Sequence, residues 1–184
     1  MVRARRSVRD FRPDPLSREG LSRVIEAARL APSSSNEQPW RFFVASGEKR
    51  RELGRIIAQA TIHLSEYMEV LGPRGYEAAA RWYSSLGGAP TLILVSAPTS
   101  DDDLIARNRH ISVGTAIENL LLAVVDEGWA GCNITYSHWV EDELATALGL
   151  PDGREILTVV AVGLAGDGKP KAQERRPDDT VWFE

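Results

Sequence analysis

The 184-residue chain has one cysteine, Cys132. It can therefore form no intramolecular disulfide, and so sparing a use of thiols fits a reducing, cytoplasmic compartment. Its three histidines, His63, His110 and His138, share no ligand spacing with one another or with Cys132. That leaves them surface or hydrogen-bonded roles rather than metal ligation. No Gly-x-Ser-x-Gly elbow and no Walker loop is present, so neither motif-borne hydrolysis nor P-loop phosphate chemistry is indicated. Gly163-Leu-Ala-Gly-Asp-Gly lacks the glycine spacing of a dinucleotide fingerprint and has no helix pattern behind it, so it reads as a turn. The most apolar run, Ile111 to Val125, is too short to span a bilayer and carries Glu118 and Asn119. The basic N-terminus has no apolar h-region behind it. No membrane association is expected.

What remains is an ordinary globular composition, 43% hydrophobic and 26% charged, of a size that suits one domain spanning residues 1–184. The net charge of -4 gives the molecule no general attraction to nucleic acid. Locally the balance reverses, because residues 1–29 carry eight arginines against four acids. A basic arm on an acidic protein suggests a local anion site. With no aromatic platform interleaved among the arginines, a nucleic-acid track is not expected.

Ser17 is a suitable N-cap for a helix to about Leu30, with Leu21, Val24, Ile25 and Ala28 forming one apolar stripe. Residues 41–45 and 91–97 read as strands, the second buried on both faces. A helix is expected from about Gly47 to Ala58. Residues 63–70 and 76–83 fit two helical pieces broken at Gly72-Pro73. The strongest pattern runs from about Arg107 to Glu127, a helix apolar on almost every side. Such a helix must be covered all round, which a second subunit would achieve. Strands at 130–134 and 155–163, a short helix at 140–148 and an apolar strand-like end, Val181-Trp182-Phe183, complete a mixed α/β or α+β pattern.

Two segments carry chemistry. Arg5-Arg6-Ser7-Val8-Arg9 alternates guanidinium and hydroxyl groups that can enclose a phosphate, although alone it fits a solvated basic tail equally. Pro32-Ser33-Ser34-Ser35-Asn36-Glu37-Gln38-Pro39-Trp40 offers short polar side chains to the edge of a planar heterocycle, with Trp40 as an anchor. Alone it fits a helix-ending turn. In this order and spacing the two resemble the FMN-dependent nitroreductase family. The resemblance extends through Ala89-Pro90, Ala116-Ile117-Glu118-Asn119-Leu120-Leu121-Leu122-Ala123, Gly128-Trp129 and Arg175-Arg176-Pro177.

That resemblance implies an α+β nitroreductase-like fold, a central mixed β-sheet covered by helices, in an intertwined homodimer with FMN at the interface. Arg5, Arg6 and Ser7 would meet the phosphate and ribityl end, and Arg9 the N1/O2 edge of the ring, where a cation favours the reduced anion. Pro32, Ser33, Ser34, Asn36 and Gln38 would approach from the other subunit, and Arg175 and Arg176 from the C-terminal side. Ile134 and Thr135 fall where relatives bring backbone to the flavin, often with a small residue. Tyr67, Tyr76, Trp82 and Tyr83 are candidates for the acceptor pocket. NADH or NADPH would be the donor and a nitroaromatic, quinone or related electrophile the acceptor, in a ping-pong mechanism. The same fold also supports dehalogenation, dehydrogenation, flavin breakdown, or flavin storage without turnover.

Overall fold

The computed structural model describes residues 1–168 and 180–183, with residues 67–71 described by their backbone alone. In chain order the elements are α1 (Arg18–Arg29), β1 (Arg41–Ser46), α2 (Gly47–Gln59), α3 (Met68–Ser85), β2 (Thr91–Pro98), α4 (Asp103–Asp126), β3 (Ala130–Ile134), α5 (Glu141–Leu148) and β4 (Arg154–Gly163). Short 3₁₀ turns occupy Ser34–Asn36, Ala60–Tyr67, Leu86–Gly88 and Tyr136–Val140.

The strands form one sheet in the order β1-β2-β4-β3, and every neighbouring pair is antiparallel. The parallel component of the expected mixed sheet is confined, among the described residues, to an isolated bridge between Ser7 and Gly131. The two central strands are apolar through their middles because both faces are covered there. Leu92, Leu94, Val159 and Ala161 face a core shared with Leu53, Ile57 and Leu144. Their alternates Ile93, Val160 and Val162 meet Val24, Ala28, Leu120 and Val124 on the other side. This is the two-residue period of a strand expressed as two cores.

Helix α1 begins where Ser17 accepts a hydrogen bond from the Gly20 amide, and its buried Val24 and Ala28 fall on one stripe. Helix α4 begins four residues before the expected start. The Asp102 carboxylate accepts from the amides of Leu104 and Ile105, so Asp102 in the run Asp101-Asp102-Asp103 is a helix cap. The break expected at Gly72-Pro73 is a kink inside α3, where Gly72 adopts φ 65°.

Within one chain α4 is not covered all round. Ser112, Val113, Ala116, Leu120 and Val124 are buried, whereas Ile111 is 61% exposed on the opposite face. Val181-Trp182-Phe183 forms no strand, and its side chains are exposed.

Candidate functional site

The N-terminal arm is positioned by its backbone. The strand order leaves β3 at an edge of the sheet, and the arm lies along it. Ser7 bridges Gly131, and the Val8 amide donates to the Gly131 carbonyl at 3.1 Å. Beyond that point the Phe11 amide donates to Gly87 O at 2.9 Å, and Asp10 O accepts from the Gly166 amide at 2.8 Å. The Asp10 carboxylate also accepts from the Gly168 amide. Gly87 is required here, because its φ is +62° and a Cβ would stand 2.3 Å from the Arg9 carbonyl oxygen.

With the backbone fixed this way, most of the arm's side chains are left outward. Arg5 Nε lies 3.1 Å from the Glu118 carboxylate on α4, and Arg6 Nη1 donates to the carbonyls of Arg3 and Arg5. Ser7 and Arg9 are exposed. Among the described residues no carboxylate pairs with Arg9, whose guanidinium lies 5.8 Å from the centroid of the Trp82 ring. Its charge also reaches Tyr83 and Cys132. Burial pushes the Tyr83 hydroxyl and the Cys132 thiol above their ordinary pKa, and Arg9 partly opposes both shifts.

Beside Arg9 stands a wall of rings. Trp82 and Tyr83 meet edge to face at 4.9 Å, Tyr83 stacks on Tyr136 at 4.2 Å, and Tyr136 meets Trp139 at 4.5 Å. The Trp82 indole nitrogen is buried and has no hydrogen-bond partner among the described residues. Tyr76 is half-buried on α3 and, among the described residues, does not join this stack. The Tyr67 side chain, Arg175 and Arg176 lie outside the described residues. Ile134 is buried and its carbonyl accepts from Thr158 Oγ1 at 2.6 Å, whereas Thr135 is exposed.

The Ser-rich loop is built differently. Ser35, Asn36 and Gln38 hold φ values of 50°, 56° and 49°, the left-handed region that side chains disfavour. Its own groups brace it, since the Gln38 amide donates to Ser33 Oγ and Gln38 Nε2 donates to Asn36 Oδ1, both at 3.0 Å. Helix α4 braces it further. Ser112 Oγ accepts from the Ser34 amide at 3.1 Å, and Thr115 Oγ1 donates to Pro32 O at 3.0 Å. Arg109 pairs with Glu37 at 2.7 Å, and Arg154 Nη2 donates to Pro39 O at 2.8 Å. Trp40 packs beside Val95, Ala97 and Val113, which bears out its reading as an anchor.

Sequence reasoning missed Glu37, Arg109, Ser112, Thr115 and Arg154 as supports of this loop. Glu37 and Arg109 are 72 positions apart, so no local pattern could link them. Each residue of a helix turns roughly 100° from the last. Ser112 and Thr115 therefore lie on one flank of the outward Ile111 stripe, and Leu121, which adjoins Gly131, lies on the other. Arm and loop thus occupy opposite flanks of α4 in one chain.

The arm can hold an anion, and the ring wall can shelter a flat, apolar partner from water. Comparison with known proteins supplies a context for this arrangement. The model of the Nitroreductase family matches residues 2–164. Nitroreductase NfnB of Mycolicibacterium smegmatis is 29% identical over 199 aligned positions, covering 91% of this chain and 82% of the relative. An iodotyrosine deiodinase of Thermotoga neapolitana is 28% identical over 179 positions, covering 93% and 90%. The crystal structure of the FMN-dependent nitroreductase NfnB from Mycobacterium smegmatis, in complex with NADPH, superposes with a TM-score of 0.82. It is 24% identical, over 100% of this chain and 96% of that one.

Proposed function

The chain belongs to the nitroreductase family, and from that premise we propose that it is an FMN-dependent oxidoreductase. It takes electrons from NADH or NADPH and passes them to a nitroaromatic, a quinone or a related small electrophile. The observation that carries this reading is the arm, where the exposed Arg9 guanidinium pairs with no carboxylate among the described residues and lies 5.8 Å from the Trp82 ring of the aromatic wall.

The residues present fit the cofactor. Arg5, Arg6 and Ser7 supply charge-assisted and neutral donors suited to a phosphate, on a backbone already fixed by Gly131 and Gly87. Arg5 would exchange its half-exposed Glu118 partner for that anion. Arg175 and Arg176 are assigned to the same phosphate by the family motif. Bound FMN supplies hydride acceptance from the nicotinamide and electron delivery to the acceptor. Arg9 would bring its guanidinium to the edge of the ring that becomes anionic, where a cation favours the reduced form. Of Ile134 and Thr135, the exposed Thr135 is the one free to face a ligand. Trp82 and Tyr83 would exclude water and bound the acceptor pocket, to which Tyr67 and Tyr76 are also assigned.

The loop residues Pro32, Ser33, Ser34, Asn36 and Gln38 are assigned to the flavin of a second copy. The exposed Ile111 and Leu104 on α4 offer apolar groups for contact with that copy. A twofold contact there would bring each loop toward the other chain's arm. The similarity to a deiodinase makes halogenated phenols a necessary part of any acceptor panel.

The test is an absorption spectrum of the purified protein followed by anaerobic addition of NADH or NADPH. The expected protein is yellow, releases FMN on denaturation, and is bleached by a pyridine nucleotide and recoloured by a nitroaromatic or quinone. A protein that acquires no flavin from added FMN sinks the cofactor assignment. Flavin that neither nucleotide reduces sinks the reductase.

A further inference from the structure

The Ser-rich loop combines a conformation that its residues disfavour with an unusual number of supports. Three of the four residues from Ser35 to Gln38 are left-handed without being glycine. Such backbone persists only where its surroundings impose it, and it clusters at ligand-holding sites. The fourth residue of that stretch is Glu37, and its carboxylate is the one taken up by Arg109.

Arg109 is placed like a fixed post. Its Nη1 donates to the Thr99 carbonyl at 2.8 Å, just after β2, while Nε and Nη2 both approach Glu37 Oε1, at 2.8 and 2.7 Å. Its side chain is 18% exposed and that of Glu37 is 36% exposed, so the pair is partly withdrawn from solvent. The remaining tethers grip the ends of the loop. Thr115 and Ser112 hold Pro32 and Ser34, and Arg154 holds Pro39. Among the described residues, the ion pair is the long-range support inside the left-handed stretch itself.

We infer that Arg109 and Glu37 form a latch that keeps the loop in its ligand-receiving shape and so sets the affinity for FMN. Neither residue is assigned to touch the cofactor; both are positioning residues. The inference rests on the proposal that this loop contacts FMN. It predicts that opening the latch weakens binding by freeing the loop before any ligand arrives. Arg109→Lys should resemble a partial opening, because an ammonium keeps the charge and loses the planar fork.

The experiment measures three things on the apoprotein: FMN affinity by quenching of FMN fluorescence, melting temperature, and amide exchange at Ser34 and Gln38. Glu37→Ala and Arg109→Lys are expected to speed exchange at both amides and to weaken FMN binding, by on the order of tenfold for Glu37→Ala. The melting temperature should change little. The double variant Glu37→Arg with Arg109→Glu should recover affinity relative to either single reversal, because the pair is restored with its charges exchanged. Unchanged exchange and affinity in Glu37→Ala would overturn the latch. So would an affinity loss that follows the melting temperature with no added exchange at the loop. If the wild-type protein binds no FMN, the cofactor assignment fails by itself. The exchange rates would still report whether the pair holds the loop.

Discussion

The N-terminal arm and the Ser-rich loop flank the same helix, but they obtain their shapes in opposite ways. The arm is held by backbone, through Gly131, Gly87, Leu164 and Gly166, and Ser7 and Arg9 keep their side chains outward. The loop is held by side chains, its own Ser33 and Asn36 and the distant Arg109, Ser112, Thr115 and Arg154. An element shaped by a sheet edge can devote its functional groups to a ligand. An element that leaves regular structure must use many of those groups to stabilise itself.

The sharpest way to break this contrast is to strike the arm through its backbone. Gly87→Val puts a branched side chain at a left-handed position and against the Arg9 carbonyl. Urea denaturation should show a loss of about 2–5 kcal/mol, together with weaker FMN binding. A loss below about 0.5 kcal/mol, the range of an ordinary surface change, would mean that the arm is not fixed at this point.

The loop should fail through a side chain instead. Ser112→Ala removes the acceptor for the Ser34 amide and should cost about 1 kcal/mol, with faster exchange at that amide. Arg5→Ala should cost about 0.5 kcal/mol or less, because Glu118 is half-exposed and the arm's backbone keeps its place. A larger effect of Arg5→Ala on the apoprotein would show that the arm, too, depends on its side chains.

The smallest expected effect is a pH dependence. Cys132 and Tyr83 are both held protonated by burial, so their folded pKa values lie above the unfolded ones. Their stabilisation is complete below about pH 8.5, the ordinary cysteine range, and declines as pH rises through the folded values. Chemical denaturation between neutral and alkaline pH should show this decline, and Cys132→Ala should lessen it. No difference between the two proteins would remove the thiol from the account.

Much of this was legible in the sequence wherever local chemistry determined the outcome. Ser17 marks the start of α1, and the apolar run at 91–97 a strand covered on both faces. The Asp102 cap is not legible locally, because a carboxylate cap becomes visible only when the amides that donate to it are in place. The arm and the loop were found as composition. Their relation was not, because it depends on which flank of α4 each one meets. The ring wall was half seen: Trp82 and Tyr83 are near neighbours in sequence, whereas Tyr136 and Trp139 reach them only through the turn after β3.

The way the arm is held also bears on when it can form during synthesis. Ser7 needs Gly131, Phe11 bridges Ala165, and Asp10 takes the amides of Gly166 and Gly168. The arm therefore waits, once made, until β3 and the end of β4 have followed. At about 5–20 residues per second, that delay is on the order of ten seconds or more. Through that interval an arginine-rich segment carrying the proposed phosphate contacts is exposed and undocked. The part of the site made first is completed among the last.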